Sequence, residues 1–271
     1  MATFSVVSNI SASNAQANLS TTGLGLQKAI TRLSSGFRIN SAGDDAAGLA
    51  VANTYRSNQA VLNQGVRNAN DGLSTLQIKD GALSNISTLL DRLSTLATQS
   101  ASGSSSVDRT QLNNEFQSVL GEIDREANVA GLQASSGFSV FVSNSAGGNG
   151  AVGGTIGASD TVALGLKPAG TFVNITTSGA AATAVSTIAS AVTTLGTAQG
   201  TVGTLENRLQ FAINLANSQI VSNKAAESRI RDANIAEESA NMSRFSVLNQ
   251  SGIAALAQAN QQSSAVLSLL R

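Results

Sequence analysis

The two ends of the chain carry no charged side chain, since none occurs in residues 1–27 and none in residues 245–270. Only 12% of the 271 residues are charged, about half the usual share in a soluble globular protein. Neutral, partly apolar ends of this kind are expected to be poorly ordered in a free molecule and to fold when other copies of the chain cover them. The alternative is an ordinary helical pair docked on the rest of the chain, although such a pair normally keeps a charged solvent face.

Both ends have the periodicity of amphipathic helices. The C-terminal end has one apolar stripe, whereas the N-terminal end has two stripes on nearly opposite sides and therefore needs two different neighbours. The C-terminal stripe contains Ile235, Met242, Phe245, Leu248, Ile253, Leu256, Val266, Leu267 and Leu270; the first N-terminal stripe contains Val6, Ile10, Ala17 and Leu24, and the second contains Leu19, Leu26, Ile30, Leu33 and Phe37.

The middle of the chain predicts long helices on either side of a glycine-rich segment. Apolar spacings of three and four run from about Gly43 to Ser100 and predict a helix about 80 Å long, weakened only by Gly65, Gly72 and Gly81. Ser105 and Asp108 resemble a capping box that opens a second helix, and a third helix resumes near Ala180. Between them, 11 of the 25 glycines lie in residues 131–179, where "FSVFV" and "TFVNIT" predict the strands of small hairpins.

Composition excludes most enzyme classes. The chain has no cysteine and no histidine, which removes thiolate and imidazole chemistry and zinc sites with N or S ligands. The carboxylates of Glu122, Asp124 and Glu126 are close in sequence, but such a row beside Arg125 is usually a solvated helix face. We therefore expect no enzymatic activity, no cofactor and no metal.

Charge and hydropathy also limit the partners. The formal net charge is zero, so no basic field attracts nucleic acid. No apolar stretch approaches the ~20 residues of a membrane span, and the first residues lack the basic start and apolar run of a secretory signal. We expect no nucleic-acid binding, no membrane insertion and no cleaved signal peptide.

Several runs of sequence resemble bacterial flagellin, and together they cover essentially the whole chain apart from residues 131–179. The matching runs are "RLSSGFRINSAGDDAAGLAVA" and "GLSTLQIKDGALSNISTLLDRLSTLATQS" on the N-terminal side, and "LENRLQFAIN", "AAESRIRDANIAEESANMSRFSVLNQSG" and "ALAQANQQSSAVLSLLR" on the C-terminal side.

The resemblance implies a mainly α fold with three parts. Residues 1–42 and 231–271 would pair as a coiled coil that lines the inner tube of a filament. Residues 43–130 and 180–230 would form a long helical-bundle shaft, and residues 131–179 a small glycine-rich β-hairpin region that faces outward.

The resemblance also implies a function. The chain would be a structural subunit that self-polymerises into the bacterial flagellar filament used for motility, with a hook-filament junction (hook-associated) protein as the alternative. It would be exported through the flagellar type III apparatus and act outside the cell. Its partners would be other flagellin copies, paralogous flagellins, hook-associated and cap proteins, and an export chaperone.

The stretch "RLSSGFRINSAGDDAAGLA" contains glycines beside carboxylates, but no strand precedes it as a phosphate-binding loop would require. The resemblance makes it the junction between the terminal helix and the shaft, where Gly36 and Gly43 permit a change of direction and acidic residues start the next helix. The arginines would pair with acidic groups of a neighbouring subunit or of the C-terminal segment, such as Glu237 or Glu238; the alternative is that they are solvated charges. The candidate junction residues are Arg32, Gly36, Arg38, Gly43, Asp44 and Asp45.

A second implied surface is the one that the animal Toll-like flagellin receptor reads. Arg92, Leu96 and Glu115 match it, whereas Ser94 and Thr95 depart from the family pattern. The alternative for Leu96 is a helix face buried between filament subunits.

Overall fold

The computed structural model describes residues 9–102, 108–143 and 150–269, apart from the side chains of 169 and 262–269. The fold is mainly α with one small antiparallel β-hairpin, which confirms the predicted fold class. The helices are α1 (Ile10–Ser35), α2 (Ala46–Ala101), α3 (Arg109–Val129), α4 (Ser178–Arg231) and α5 (Ile235–Leu269); the strands are β1 (Ser136–Phe141) and β2 (Ala151–Ile156), and a 3₁₀ turn lies at Pro168–Gly170.

The chain divides into two compact units. We call Met1–Ser57 with Ser222–Arg271 the terminal unit, and Asn58–Val221 the core unit. The segment 131–179 belongs to the core unit together with α3. The three-part division drawn from the sequence stays a prediction.

The core unit is held by apolar stripes on α2, α3 and α4. Their buried residues recur at spacings of three and four, which keeps them on one side of each helix. Full burial of a leucine, isoleucine or phenylalanine side chain contributes about 1.5–3 kcal/mol. Buried members include Leu62, Ala69, Leu76, Leu83, Ile86, Leu90, Leu93 and Ala97 of α2, Phe116, Leu120, Ile123 and Ala127 of α3, and Ile188, Leu195, Val202, Leu205 and Leu209 of α4.

The glycine-rich segment adds its own apolar side chains to this core. Leu132, Val140, Ile156, Leu166 and Ile175 are all buried in the same cluster as the helical stripes. The segment thus packs on the helices over much of its length, even though it contains few regular elements.

The hairpin prediction is correct for "FSVFV" and wrong for "TFVNIT". β1 contains Phe138–Phe141 and pairs with β2 from Ser136↔Ile156 to Phe141↔Ala151, whereas 171–176 forms no strand. Side chains satisfy its backbone instead: the hydroxyl of Ser100 donates to the Ile175 carbonyl at 2.6 Å, and the Ile175 amide donates to Asn113 Oδ1 at 3.0 Å. The alternating hydrophobicity of "TFVNIT" therefore reflects residues that pack against the core and not a β-strand.

The helix ends follow local capping rules. The Asp108 carboxylate is the N-cap of α3 and accepts hydrogen bonds from the amides of Thr110 and Gln111, as an N-cap side chain should. The predicted partner in a capping box, Ser105, lies outside the described residues.

Two of the glycines that weakened the prediction of α2 have a packing role. A Cβ atom at Gly65 would overlap the carbonyl oxygen of Val142, and one at Gly72 would lie 2.6 Å from Cγ2 of Val140. Between them, Asn68 Nδ2 donates to the Phe141 carbonyl at 3.2 Å. The absence of a side chain at these positions lets β1 and the residue after it lie directly on α2.

Among the described residues, α4 is long and apolar enough to cross a membrane by length and composition alone, although the sequence shows no continuous apolar run of that length. Its apolar residues have another explanation, because the stripe from Ala181 to Ala216 is buried in the core unit.

We predict that Gly65→Ala destabilises the core unit by about 1–3 kcal/mol, because the added methyl group would force β1 away from α2. Urea unfolding followed by circular dichroism measures the change. Gly81 is the matched control: it lies in the same helix, and a Cβ atom added there would meet nothing within 4 Å. Gly81→Ala should stabilise by about 1 kcal/mol through helix propensity alone. Equal effects of the two substitutions would contradict the close-packing explanation.

Candidate assembly site at the paired chain ends

α1 and α5 pair in antiparallel orientation along the terminal unit. Asn9 Nδ2 donates to the Ala259 carbonyl at 3.0 Å, Leu19 packs against Gly252, and the Phe245 ring covers Gly25. A Cβ atom at Gly25 would lie 2.8 Å from that ring. Small residues at the crossing points therefore allow the two helices to approach closely.

Near the ends of α1 and α4, a short backbone bridge links the two halves of the terminal unit. Gly36 ends α1 in the left-handed conformation with φ 73°, and its amide donates to the Arg32 carbonyl, as in an αL cap. Around the bridge Phe37↔Asp232, the Arg38 amide donates to the Arg231 carbonyl at 2.6 Å and the Ala233 amide to the Gly36 carbonyl at 2.9 Å.

Side chains reinforce this bridge. The Arg231 guanidinium lies over the Phe37 ring, 4.1 Å from its centroid, within the range of a cation–π interaction. The guanidinium of Arg38 donates to the Ile230 carbonyl at 2.7 Å. Within the subunit, Arg38 therefore has a backbone acceptor, and its pairing with an acidic group of a neighbouring subunit stays a prediction.

Arg32 and Glu238 form an ion pair between α1 and α5. Arg32 Nη1 lies 2.9 Å from Glu238 Oε1, and the exposed side-chain fractions are 24% and 10%. Burying a carboxylate costs free energy unless a charged partner compensates. Arg32 therefore holds a buried acidic group at the first turn of α5, where the helix dipole also favours negative charge.

The two aspartates before α2 have different partners. Asp44 lies 2.9 Å from Lys28 Nζ of α1 and accepts the amides of Asn40 and Ser41. The ion pair with Lys28, followed by the hydrogen bond from Ser41, holds the pKa of Asp44 well below its ordinary value. Asp45 accepts the Gly48 amide at 2.8 Å and so caps the start of α2.

The two junction glycines also differ. Gly36 needs its positive φ, which side-chain-bearing residues rarely adopt. Gly43 lies in the turn before α2 but is not among the described glycines with positive φ. Its backbone conformation is therefore open to other residues, and the expected hinge role rests on Gly36 alone.

Of the two predicted stripes on α1, the second is the better covered. Its members Leu19, Leu26 and Leu33 are half-buried, although Ile30 of the same stripe is 49% exposed. In the first stripe, Ile10 is 64% exposed and Leu24 is 67% exposed. The side of α1 that carries Ile10 and Leu24 has no cover within the described chain.

The stripe on α5 is also incompletely covered. Ile253 is 55% exposed, while Leu256 is half-buried. Two of the predicted packing residues cannot be assigned: Val6 lies outside the described residues, and so does the side chain of Leu267.

Burial differs sharply between the paired ends and the core unit. Among the residues described, α1 buries only Ala29 and α5 buries only Glu238, whereas α4 buries a stripe from Ala181 to Ala216. Apolar burial supplies most of the free energy that orders a helix in a protein. The terminal unit is therefore far less supported by its own contacts.

The expected receptor residues do not share one surface. Arg92 of α2 and Glu115 of α3 form an exposed ion pair, with Arg92 Nε 2.9 Å from Glu115 Oε1. Leu96 is 1% exposed and belongs to the core of the unit. Its side chain packs inside the subunit itself, and neither a receptor nor a neighbouring subunit can contact it while the unit is folded.

The acidic row on α3 has structural partners. Glu122 and Glu126 both contact Arg125, and Asp124 Oδ1 accepts the amide and the hydroxyl of Thr161. Within the described residues no group of three or more acidic, histidine or cysteine side chains could hold a metal ion.

Sequence reasoning missed the close contacts at Gly25 and Gly252 and the pair between Lys28 and Asp44. The glycines carried a usable signal, because a glycine inside a helical pattern often has a packing reason. The ion pair gave no signal in the sequence, because Lys28 lies in α1 and Asp44 lies in the loop before α2, so no helical spacing relates them.

Two family models match the chain. The bacterial flagellin N-terminal helical region matches residues 6–163, and the bacterial flagellin C-terminal helical region matches residues 185–270. Flagellin FlaB1 of Treponema pallidum is 35% identical over 97% of this chain and 98% of that protein. The flagellin of Halalkalibacterium halodurans is 36% identical over the same shares. A crystal structure of Bacillus cereus flagellin covers 55% of this chain and 88% of its own, with 27% identity and a TM-score of 0.46.

We predict that Arg32→Ala and Glu238→Ala each weaken the pairing of α1 with α5 by about 1–3 kcal/mol, because each leaves a largely buried charge without its partner. Amide hydrogen exchange of α1 and α5 in assembled protein measures the change. The double variant should weaken the pairing of α1 with α5 by less than the sum of the two single effects, because the two side chains interact with each other.

The exposed pair of the core unit provides the control. Arg92→Ala should lower the free energy of unfolding of the core unit by about 0.5 kcal/mol or less, because water screens an exposed ion pair. Strict additivity of the Arg32 and Glu238 substitutions would show that the two side chains are not coupled.

Proposed function

Since the chain belongs to the bacterial flagellin family and is a structural subunit that self-polymerises into the extracellular flagellar filament, we propose that its paired ends complete their folding only when neighbouring subunits cover them. The observation that carries this proposal is the uncovered side of α1, where Ile10 and Leu24 are about two-thirds exposed. The exposed residues of α5, such as Ile253, extend the same argument to the other end of the chain.

The neutrality of the ends supports the proposal. A charge that is covered by a neighbouring subunit loses water and needs a new partner. The ends avoid this cost because residues 1–27 and 245–270 carry no charged side chain. Their serine, asparagine and glutamine side chains can exchange hydrogen bonds with water for hydrogen bonds across subunits.

We assign the end of α1 and the loop before α2 to an assembly junction that contains Arg32, Gly36, Arg38, Gly43, Asp44 and Asp45. Gly36 would allow the change of chain direction there, and the charged residues would hold the junction together. The ion pairs of Arg32 with Glu238 and of Lys28 with Asp44 support this assignment, because they fix α1 at the level where its charge-free part ends.

The remaining proposals rest on the family alone. The subunit would leave the cell through the flagellar type III apparatus without a cleaved signal peptide. It would meet paralogous flagellins, hook-associated and cap proteins and an export chaperone. The family is a structural one, and we propose that the chain has no enzymatic activity. The hook-filament junction alternative has no support in the two family matches, which are both flagellin regions.

For the animal receptor we propose a reduced surface. Arg92 and Glu115 lie on adjacent helices and are both exposed, so they are available to a partner. Leu96 is left out because it is buried.

We predict that Leu24→Lys blocks filament growth while the core unit keeps its helicity, because a lysine on the uncovered side of α1 would place a charge between subunits. Electron microscopy and sedimentation of seeded protein measure the growth. Val129→Lys is the matched control, since Val129 of α3 has a similar exposure of 73% and lies in the core unit. Normal growth of the Leu24 variant would refute the buried-stripe proposal.

We also predict an uneven exchange pattern in the verified monomer. Amides of α1 and α5 should exchange with solvent fast, because those helices bury few apolar residues. The part of α2 from Leu62 to Ala97, and all of α3, should be protected. Uniform protection along a monomer would contradict folding that is coupled to assembly.

A further inference from the structure

An unpartnered carboxylate oxygen lies where α4 packs on α2 in the core unit. The side chain of Glu206 is half-buried, and its Oε1 atom is buried without a hydrogen-bond partner among the described residues. Glu206 follows the buried Leu205 and lies three residues before the buried Leu209, so it borders the apolar stripe of α4. The facing helix is close, because a Cβ atom at Gly72 of α2 would lie 3.5 Å from Cδ1 of Leu209.

α2 presents a second carboxylate, Asp80, to this region. Asp80 is exposed, and it lies four residues after Leu76 and three before Leu83, both of which are buried in the shared core. These spacings put it beside the apolar stripe of α2. Burial raises the pKa of Glu206, and the negative charge of Asp80 raises it further. An ionised Glu206 is therefore unfavourable both because it loses water and because a like charge is near.

The neighbouring cations have other partners. Lys79 of α2 donates to two carbonyls just after the end of α3, each at 3.1 Å. Arg208 lies two residues after Glu206 on α4, and it donates to the Gly153 carbonyl at 3.0 Å. Neither is among the charges that act on Glu206, whereas Asp80 is.

The hairpin that covers this part of α4 brings no charge. A Cβ atom at Gly154 would lie 3.0 Å from Cδ2 of Leu205, so β2 packs next to Glu206, and neither strand contains a charged residue. The rest of the glycine-rich segment has only Asp160 and Lys167. Asp160 accepts a backbone amide three residues later, and Lys167 lies over the ring of an aromatic residue in its own segment.

We propose that Glu206 is a pH-sensitive element of the core unit, in which the ionised carboxylate weakens the contact between α2 and α4 and protonation strengthens it. The direction follows from linkage between proton binding and folding. The folded chain binds this proton more tightly than the unfolded chain, in which a glutamate has an ordinary pKa of about 4.3. The stabilisation is therefore fully present below that pH, and it is lost as the pH rises through the higher value of the folded chain.

The terminal unit responds to acid in the opposite direction. Lys28 holds the pKa of Asp44 below its ordinary value, so the contribution of Asp44 to stability is present above about pH 3.9, the ordinary value of an aspartate, and is lost as the pH falls further. Mild acid therefore strengthens the core unit before it reaches this ion pair of the paired ends. The filament is extracellular, so the subunit is exposed to the pH of its surroundings.

The test is thermal melting of the full-length monomer, followed by circular dichroism at pH 4, 5.5 and 7.5. Glu206→Gln keeps the size and helix propensity of the side chain but removes its charge at every pH. At pH 7.5 the variant should melt about 2–4 °C above the wild type, because no charge has to lose water at the contact. The difference should shrink at pH 5.5 and be smallest at pH 4, where protons neutralise the wild-type carboxylate as well.

Glu122→Gln is the matched control, since it makes the same change on an exposed carboxylate of α3. Arg125 lowers the pKa of Glu122, which is the opposite sign, so this variant should not melt above the wild type at pH 7.5. Asp80→Asn is a second, independent variant, and it should melt above the wild type at pH 7.5 by less than Glu206→Gln, because burial is the larger cause.

Three results would overturn the inference. One is a melting temperature of Glu206→Gln at pH 7.5 that is equal to or below that of the wild type. Another is a gain that is the same at pH 4 and pH 7.5. The third is an equal gain in Glu122→Gln, which would show a general effect of net charge. None of them bears on the proposed function, because all are measured on the core unit of the monomer.

Discussion

In the terminal unit α1 and α5 lie side by side, and two helices in contact can hide only the stripe that each turns toward the other. α1 turns Leu19, Leu26 and Leu33 toward its partner and leaves Ile10 and Leu24 in water. A chain whose second apolar face cannot be satisfied by its own residues depends on other molecules to satisfy it. In a filament every subunit has such neighbours, and our proposal is that covering this face makes assembly favourable.

The core unit solves the same problem internally. Three helices and the glycine-rich segment share one cluster of buried residues. The segment thus packs on the helices and covers apolar side chains that they would otherwise expose. Its backbone approaches α2 so closely at Gly65 that no side chain would fit there. Where the segment has no ladder, side chains such as Ser100 and Asn113 take over its backbone hydrogen bonds. The core unit therefore buries an apolar stripe on each of its helices, which supports its stability, whereas among the described residues α1 buries only Ala29 and α5 only Glu238.

Charge is placed where it does not obstruct assembly. The ion pairs of Arg32 with Glu238 and Lys28 with Asp44 stand just where the neutral part of α1 ends. Beyond them, toward the N-terminus, neighbouring subunits can approach without removing water from an ion.

The sequence by itself determined the helices, their apolar stripes and the neutrality of both ends, because these depend on residue type and on spacings of three and four along one chain. The flagellin pattern was equally readable, because it lies in continuous runs. Only the tertiary structure decided which stripe of α1 faces α5, that Leu96 is buried, that Arg38 binds a carbonyl, and that "TFVNIT" forms no strand. Each of these depends on residues far apart in the sequence that pack together, and local periodicity carries no record of such neighbours.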